Sequence, residues 1–235
     1  MARLVFARFL FGTSTVVFGV VQLISPESEV WQALHSISPL FAAIIAWCVA
    51  IALIAGGIGM LLPGATRAAA IDLGVVYLLF SFANVPGMIA TPADPVLYVN
   101  FFEMFSLVCG ATAVFGSPTL RRAARIGMGI CAVSFAWAQI VYFQYTASLV
   151  PTWIPPNQAF WTILTTIAFA LAALAILIDC QARLAALLMA LMIALFGVLV
   201  WVPHILVQPR TLSNWNEIAS NYLMAAAAWL VAAIE

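Results

Sequence analysis

Lysine is absent from these 235 residues, and charged side chains of either sign make up only 7% of them. A soluble domain carries about 25%, so a chain this poor in charge cannot cover a globular surface in water. Eight basic and eight acidic residues leave a formal net charge of zero. Without a long basic run as well, the chain offers nucleic acid and polybasic lipid docking no footing as a main role. The four cysteines, Cys48, Cys109, Cys131 and Cys180, form no Cys-x-x-Cys pair, which argues against a thiol relay and reads them as buried apolar filler. His35 and His204 fall in different loops among scattered acids, which is no recognisable metal-ligand spacing.

What is present is apolar sequence, 66% of the chain. The runs are continuous rather than alternating and reach the roughly 20 residues a helix needs to cross the hydrocarbon core, so the class is an all-α polytopic membrane protein and not a barrel. The spans read as about 4–25, 39–62, 68–90, 97–116, 124–146, 158–178, 183–203 and 213–234, eight in all. The first lacks an Ala-x-Ala cleavage site and has an apolar stretch longer than a signal core, so it is kept as a retained helix. With no lysine, orientation rests on arginine. Arg3, Arg8, Arg67, Arg121, Arg122, Arg125 and Arg183 fall on one side and only Arg210 on the other. The basic excess marks the cytoplasmic side, which puts both termini there. Trp31, Trp153, Trp161, Trp201 and Trp215 then collect at the opposite interface, as an aromatic belt does.

The chain also repeats itself. Arg8, Gly12, Phe18 and Gln22 meet Arg125, Gly129, Phe135 and Gln139 at an offset of 117 positions. Arg67 and Phe80 meet Arg183 and Phe196 at 116, Pro86 and Pro92 meet Pro203 and Pro209 at 117, and Asn100, Glu103 and Ser106 meet Asn214, Glu217 and Ser220 at 114. A collinear series of this kind implies two four-helix units, 1–117 and 118–235, with residues 117–124 as their junction. An even number of helices per unit makes them parallel repeats about an axis along the membrane normal. Gly56, Gly57 and Gly59 suit close helix packing, and Gln22 and Gln139 suit hydrogen bonds between helices.

Polar residues concentrate between Trp201 and Asn221. On the last helix Asn214, Glu217 and Asn221 share one face, and Asn100 with Glu103 begins the same face in the first unit. A carboxylate near the bilayer centre costs about 2.5–3.5 kcal/mol on insertion scales, which makes each a functional candidate. His204 ends the seventh span on the side where the eighth begins, within reach of Glu217 across a short hairpin. A His–Glu pair suits proton exchange or hydrogen bonding to a carbonyl or hydroxyl of a lipophilic ligand. Pro86 and Pro203 free a carbonyl one turn earlier and can bend their helices beside these carboxylates. The candidate ligand-binding set is Glu217, His204, Asn214, Asn221, Trp201, Trp215, Glu103 and Asn100. Asp72 and Asp179 are read as local partners of Arg67 and Arg183.

The second half resembles the DoxX/DoxD-like superfamily of four-helix membrane proteins. The resemblance lies in Leu149 to Pro156 (LVPTWIPP), Phe160-Trp161, Ala182 to Leu188 (ARLAALL), and Val202-Pro203-His204 ahead of Asn214-Trp215. It covers residues from about 124 to the end, with the first half as a diverged copy. It implies a quinone-linked or otherwise redox-associated membrane component, as in the thiosulfate:quinone oxidoreductase subunit. The expectation is a bacterial inner-membrane protein that binds a lipophilic small molecule, a quinone by this resemblance, near its periplasmic face, alongside a redox partner protein. Two other readings stand beside it: a transporter with a periplasm-facing polar site, and a non-catalytic assembly subunit of a membrane complex.

Overall fold

The computed structural model describes residues 2–24 and 39–234; Ser25, Pro26, Glu27, Glu29, Trp31 and His35 lie outside them. The described residues hold helices joined by turns, bends and short irregular stretches, with no strand among them. In chain order the helices are α1 (Ala2–Ile24), α2 (Pro39–Leu61), α3 (Thr66–Ala83), α4 (Val85–Ala90), α5 (Pro95–Phe115), α6 (Pro118–Val141), α7 (Phe143–Leu149), α8 (Gln158–Leu177), α9 (Ala182–Phe196), a π turn (Gly197–Trp201), α10 (Val202–Val207) and α11 (Leu212–Ala232).

Their starts are set by local chemistry. Asp94, Ser117 and Asn157 each accept a backbone N–H of the first turn that would otherwise go unbonded. Pro95 and Pro118 occupy the first helical position, where a missing N–H costs nothing. Helix α6 therefore begins at Pro118, and 117–124, expected as a junction, is mostly its first two turns. It also ends at Val141, so the expected span to 146 divides into α6 and the short α7.

Among the described residues, seven segments are long and apolar enough to cross a membrane: α1, α2, α3 with α4, α5, α6, α8, and α9 through α10. Helix α11 has the length, 21 residues, but Asn214, Asn216, Glu217, Ser220 and Asn221 keep its first half from sustaining the same hydropathy. It is nonetheless central. Around the ring α1, α2, α3, α5, α6, α8, α9 and α11 each helix packs on the next, α11 closes on α1, and α5 meets α11 across the middle. Large apolar side chains such as Trp47, Leu79, Ile89 and Leu171 face outward, which suits lipid and not water.

Small residues set the closest crossings. A Cβ on Gly12 would lie 2.7 Å from the Gly57 carbonyl oxygen, and one on Gly57 would lie 2.8 Å from that of Gly12, so α1 and α2 touch backbone to backbone. Gly56 and Gly59 abut Leu73 and Ala69 of α3. The expectation of glycine-mediated packing holds at all three positions.

The turn from α8 to α9 is closed by an arginine from α6. Asp179 takes up φ 60°, and the Cys180 N–H donates to the Ala175 carbonyl at 3.0 Å, a Schellman-type ending. The Arg125 guanidinium donates to the Ile176 carbonyl at 2.6 Å and pairs with the Asp179 carboxylate at 3.0 Å. Asp179 thus pairs with Arg125, not with Arg183 as its nearness in sequence implied. Arg8 makes the matching reach in the first half, donating to Thr66 Oγ1 at 2.9 Å at the start of α3. Arg125 is buried, 5% exposed, while Asp179 is 57% exposed, so the carbonyl contact matters more than the screened ion pair. Arg125→Leu is expected to lower stability by about 1–3 kcal/mol through the charge-assisted bond it removes. Thermal unfolding in mild detergent reads this as a melting point lower by several degrees; an unchanged value would contradict it.

Candidate functional site

Two loops at the same end of the helices share one backbone course. Thr91 and Gln208, 117 positions apart, both adopt φ −131° and ψ 69°. Asp94 and Thr211 follow with φ −85°, ψ 109° and φ −80°, ψ 106°. Thr91 N–H donates to the Gly87 carbonyl at 2.7 Å and Gln208 N–H to that of His204 at 2.9 Å. An aromatic donor then ties each helix start back to its proline loop: Tyr98 Oη to the Pro92 carbonyl at 3.2 Å, and Trp215 Nε1 to the Pro209 carbonyl at 2.9 Å. The two loops and the starts of α5 and α11 thus match at an offset of 117, whereas Asn100 and Glu103 meet Asn214 and Glu217 in sequence at 114. At the offset of the loops Asn100 falls opposite Glu217, and Glu103 opposite Ser220. The offset of 114 matches side chains, and that of 117 matches the loops and the helix starts that follow them, Pro95 and Leu212.

Just before each loop a proline interrupts a helix. At Pro86, α3 gives way to α4; at Pro203, α9 widens into the π turn, with the Val202 N–H reaching back to the Gly197 carbonyl. Proline has no N–H to return to the preceding turn and its ring crowds that carbonyl, and a π turn is one way a helix absorbs the mismatch.

Beside these breaks lies a cavity of about 850 Å³. Its polar lining comes from both halves: Gln22, Asn84, Asn100 and Glu103 from the first, and Gln139, Asn216, Glu217, Ser220 and Asn221 from the second. Phe18 and Phe80 from the first half and Phe135, Phe169 and Phe196 from the second line it, and Trp161, Trp201, Tyr142 and Tyr145 complete the aromatic wall. The volume and the mix of apolar wall with a few polar groups suit a small-molecule site. One continuous space serves both sequence halves, although α7, α8 and the loop through Pro151 and Ile154 give the second half the larger share. Glu217 and Glu103 lie about 8 Å and about 12 Å along their helices at 1.5 Å per residue.

Of the eight candidate residues, Glu217, Asn221, Trp201, Glu103 and Asn100 line the cavity, and His204, Asn214 and Trp215 do not. His204 is exposed and its Nδ1 donates to the Val200 carbonyl at 2.7 Å; a carbonyl only accepts, so this nitrogen carries the proton. The ring thereby serves the π turn. Asn214 Nδ2 faces the carbonyls of His204 at 3.4 Å and Gln208 at 3.5 Å, holding α10 to α11. These three side chains build the hairpin, and the other five face the space it borders.

Other cavity residues had drawn no such expectation. Asn84, two residues ahead of Pro86, begins the upstream polar stretch that also holds Asn100 and Glu103, and lay outside the candidate set. Gln22 and Gln139 were expected to bridge helices, and they do: Gln22 Nε2 donates to Asn216 Oδ1 at 3.2 Å, and Gln139 Oε1 accepts from Thr165 and Thr166 at 3.0 and 2.9 Å. Both also line the cavity. Cys109 and Cys131, solitary in sequence, meet side chain to side chain where α5 packs on α6, and both are buried free thiols. No family model, curated protein or solved structure matches the chain.

Proposed function

We propose that this chain is an eight-span protein of two parallel four-helix units, 1–117 and 118–235, which binds a lipophilic small molecule in the cavity the units share. The observation that carries the reading is that cavity: about 850 Å³, walled by aromatic and aliphatic side chains, with carboxylates and amides from both halves converging on it. The paired loops, with equal torsions 117 positions apart, support the duplication. So does the ring of helices, in which each neighbouring pair of the first half has its counterpart in the second. Helix α11, the eighth span, packs against α1, α5 and α9, which offsets the modest hydropathy of its first half by keeping the polar face away from lipid.

On the arginine bias both termini are cytoplasmic, in what we take to be a bacterial inner membrane, and the end of the cavity lined by Leu149, Pro151 and Leu212 is the periplasmic one. The DoxX-like resemblance makes a quinone the first ligand to try and a redox complex the setting. A transporter is the second reading. The prolines that break corresponding helices of the two halves beside the cavity favour it, because interrupted helices in matching positions border the substrate sites of many transporters.

The test is native mass spectrometry, with lipid and quinone identification, on protein purified in mild detergent. Wild type and His204→Ala are expected to retain the same lipophile, since His204 serves the hairpin. Glu217→Gln is expected to retain about tenfold less, the size of a charge-assisted hydrogen bond. No lipophile in any of the three, with a partner protein retained instead, would favour the assembly subunit and sink the binding-site reading.

A further inference from the structure

The outward face of α9 runs into the cavity. Leu184, Leu188, Leu191, Leu195 and Val198 follow one another at three and four residues, so they share one stripe, and all five are exposed. Leu191, Leu195 and Val198 are 54%, 46% and 47% exposed, yet of the stripe only Leu195 lines the cavity. The cavity thus reaches the lipid-facing side of α9 at Leu195 and, one turn on, at Leu199. Leu195 lies about 20 Å along the helix from Ala182 at 1.5 Å per residue, near the middle of the span. Gly197, two residues on and so turned through about 200°, abuts the Tyr222 ring of α11; Leu195 therefore faces away from α11. Phe196 meets Phe169 of α8 with ring centroids 6.3 Å apart. The α8–α9 hairpin is closed at its Asp179 turn and by this ring pair. Beyond the pair, Trp161 and Thr165 of α8 and Leu199 line open space. In the first half α2, which stands where α8 does on the paired-unit reading, contributes nothing to the wall among the described residues.

The wall is also divided by polarity. Its carboxylates and amides come from α1, the end of α3, α5, α6 and α11, whereas α9 and the π turn supply Ile193, Leu195, Phe196, Leu199, Val200 and Trp201. On α8 the Thr162 hydroxyl is held by the Gln158 carbonyl at 3.1 Å and that of Thr165 by Gln139 at 3.0 Å. An apolar chain lying between α8 and α9 therefore keeps apolar neighbours and passes into hydrocarbon, which is as apolar as leucine. A polar group in the same place would lose its hydrogen bonds. Resting on the binding-site reading above, we infer that the ligand is a bilayer-resident amphiphile that enters sideways, its polar head in the cavity and its tail passing out between α8 and α9. Such a tail is free to exceed the cavity, whose volume of about 850 Å³ holds about 28 non-hydrogen atoms at roughly 30 Å³ each, the share of a water molecule in the liquid.

The test uses two alcohols that share one head and one repeating tail: farnesol, which the cavity can hold whole, and solanesol, three times as long, which it cannot. Each is added at rising mole fraction to the full chain in phosphatidylcholine vesicles. Binding is followed by tryptophan emission, since Trp161 and Trp201 line the cavity. The double variant Ala138→Phe with Ser220→Phe fills the cavity and measures the effect of the bilayer alone. Solanesol is expected to bind at least as tightly as farnesol. Leu195→Phe with Leu199→Phe, which narrows the gap, is expected to weaken solanesol about tenfold more than farnesol. Leu191→Phe with Val198→Phe, on the same stripe but off the cavity, should keep the wild-type ratio. Farnesol binding without solanesol would mean a cavity shut off from the bilayer, and a gap variant that leaves the ratio unchanged would send the tail out elsewhere. Either result overturns the inference and leaves the site. If neither alcohol saturates, and wild type behaves as the filled variant, the site itself is overturned and this inference with it.

Discussion

Gly110→Leu is expected to part α5 from α11 at the centre of the ring and to give the largest loss of stability of any single substitution considered. A Cβ on Gly110 would stand 2.5 Å from the Ala227 Cβ and 2.6 Å from its Cα, distances at which backbone must move. Overpacking by one or a few methylene groups costs about 1–3 kcal/mol; a leucine against backbone exceeds that range. Thermal unfolding in mild detergent is the measurement, with about 2–4 °C lost per kcal/mol in a chain of this size. Gly110→Ala should fall between wild type and leucine. Ala227→Gly should rescue Gly110→Ala only in part, because it removes the nearest atom and leaves the Cα. Gly64→Ala, with nothing within 4 Å of its Cβ, should stay within about 0.5 kcal/mol of wild type. A leucine variant as stable as that control would mean the two helices do not cross this closely.

The second large effect runs the other way in stability. The double variant, Ala138→Phe with Ser220→Phe, places two rings in the cavity from α6 and α11, at positions that both line it. Filling a void restores contacts its lining lacks, so the melting point should hold or rise, while retained lipophile should fall to under about a tenth of wild type. Gain of stability with loss of binding is the pattern expected where an open space is kept for use. A plugged protein that keeps its lipophile would move the site elsewhere, and one that fails to fold would show the space to be smaller than it measures here.

Much of the frame was legible because bilayer and helix impose it. The second and sixth spans were expected at 39–62 and 158–178 and are found at Pro39–Leu61 and Gln158–Leu177, since a long apolar run between turn residues has few alternatives. The Ser117-Pro118 start of α6 was also written in the chain, as a cap followed by a proline, and was masked by the arginines behind it. What composition could not reveal was tertiary. Arg125 reaches Asp179 across 54 positions because α6 and α8 are neighbours, and Cys109 meets Cys131 for the same kind of reason. The carboxylates were singled out by their rarity in apolar sequence, which located Glu217 and Glu103 but said nothing of which helices would face them. His204 drew attention by residue type, yet its ring bonds to the Val200 carbonyl of its own helix, one turn back.

The register of the two loops has a consequence for how a guest lies. A space built by two identical units about a twofold axis would receive a molecule in two equivalent poses, head to one unit or to the other. Here Glu217 stands where the first half has Asn100, and Ser220 where it has Glu103, so on the paired-unit reading the two poses differ in energy. Losing a twofold degeneracy forfeits only about 0.4 kcal/mol, less than the worth of one hydrogen bond to a carboxylate. On that reading, unlike side chains at two paired positions are enough to make a shared vestibule hold its occupant one way round.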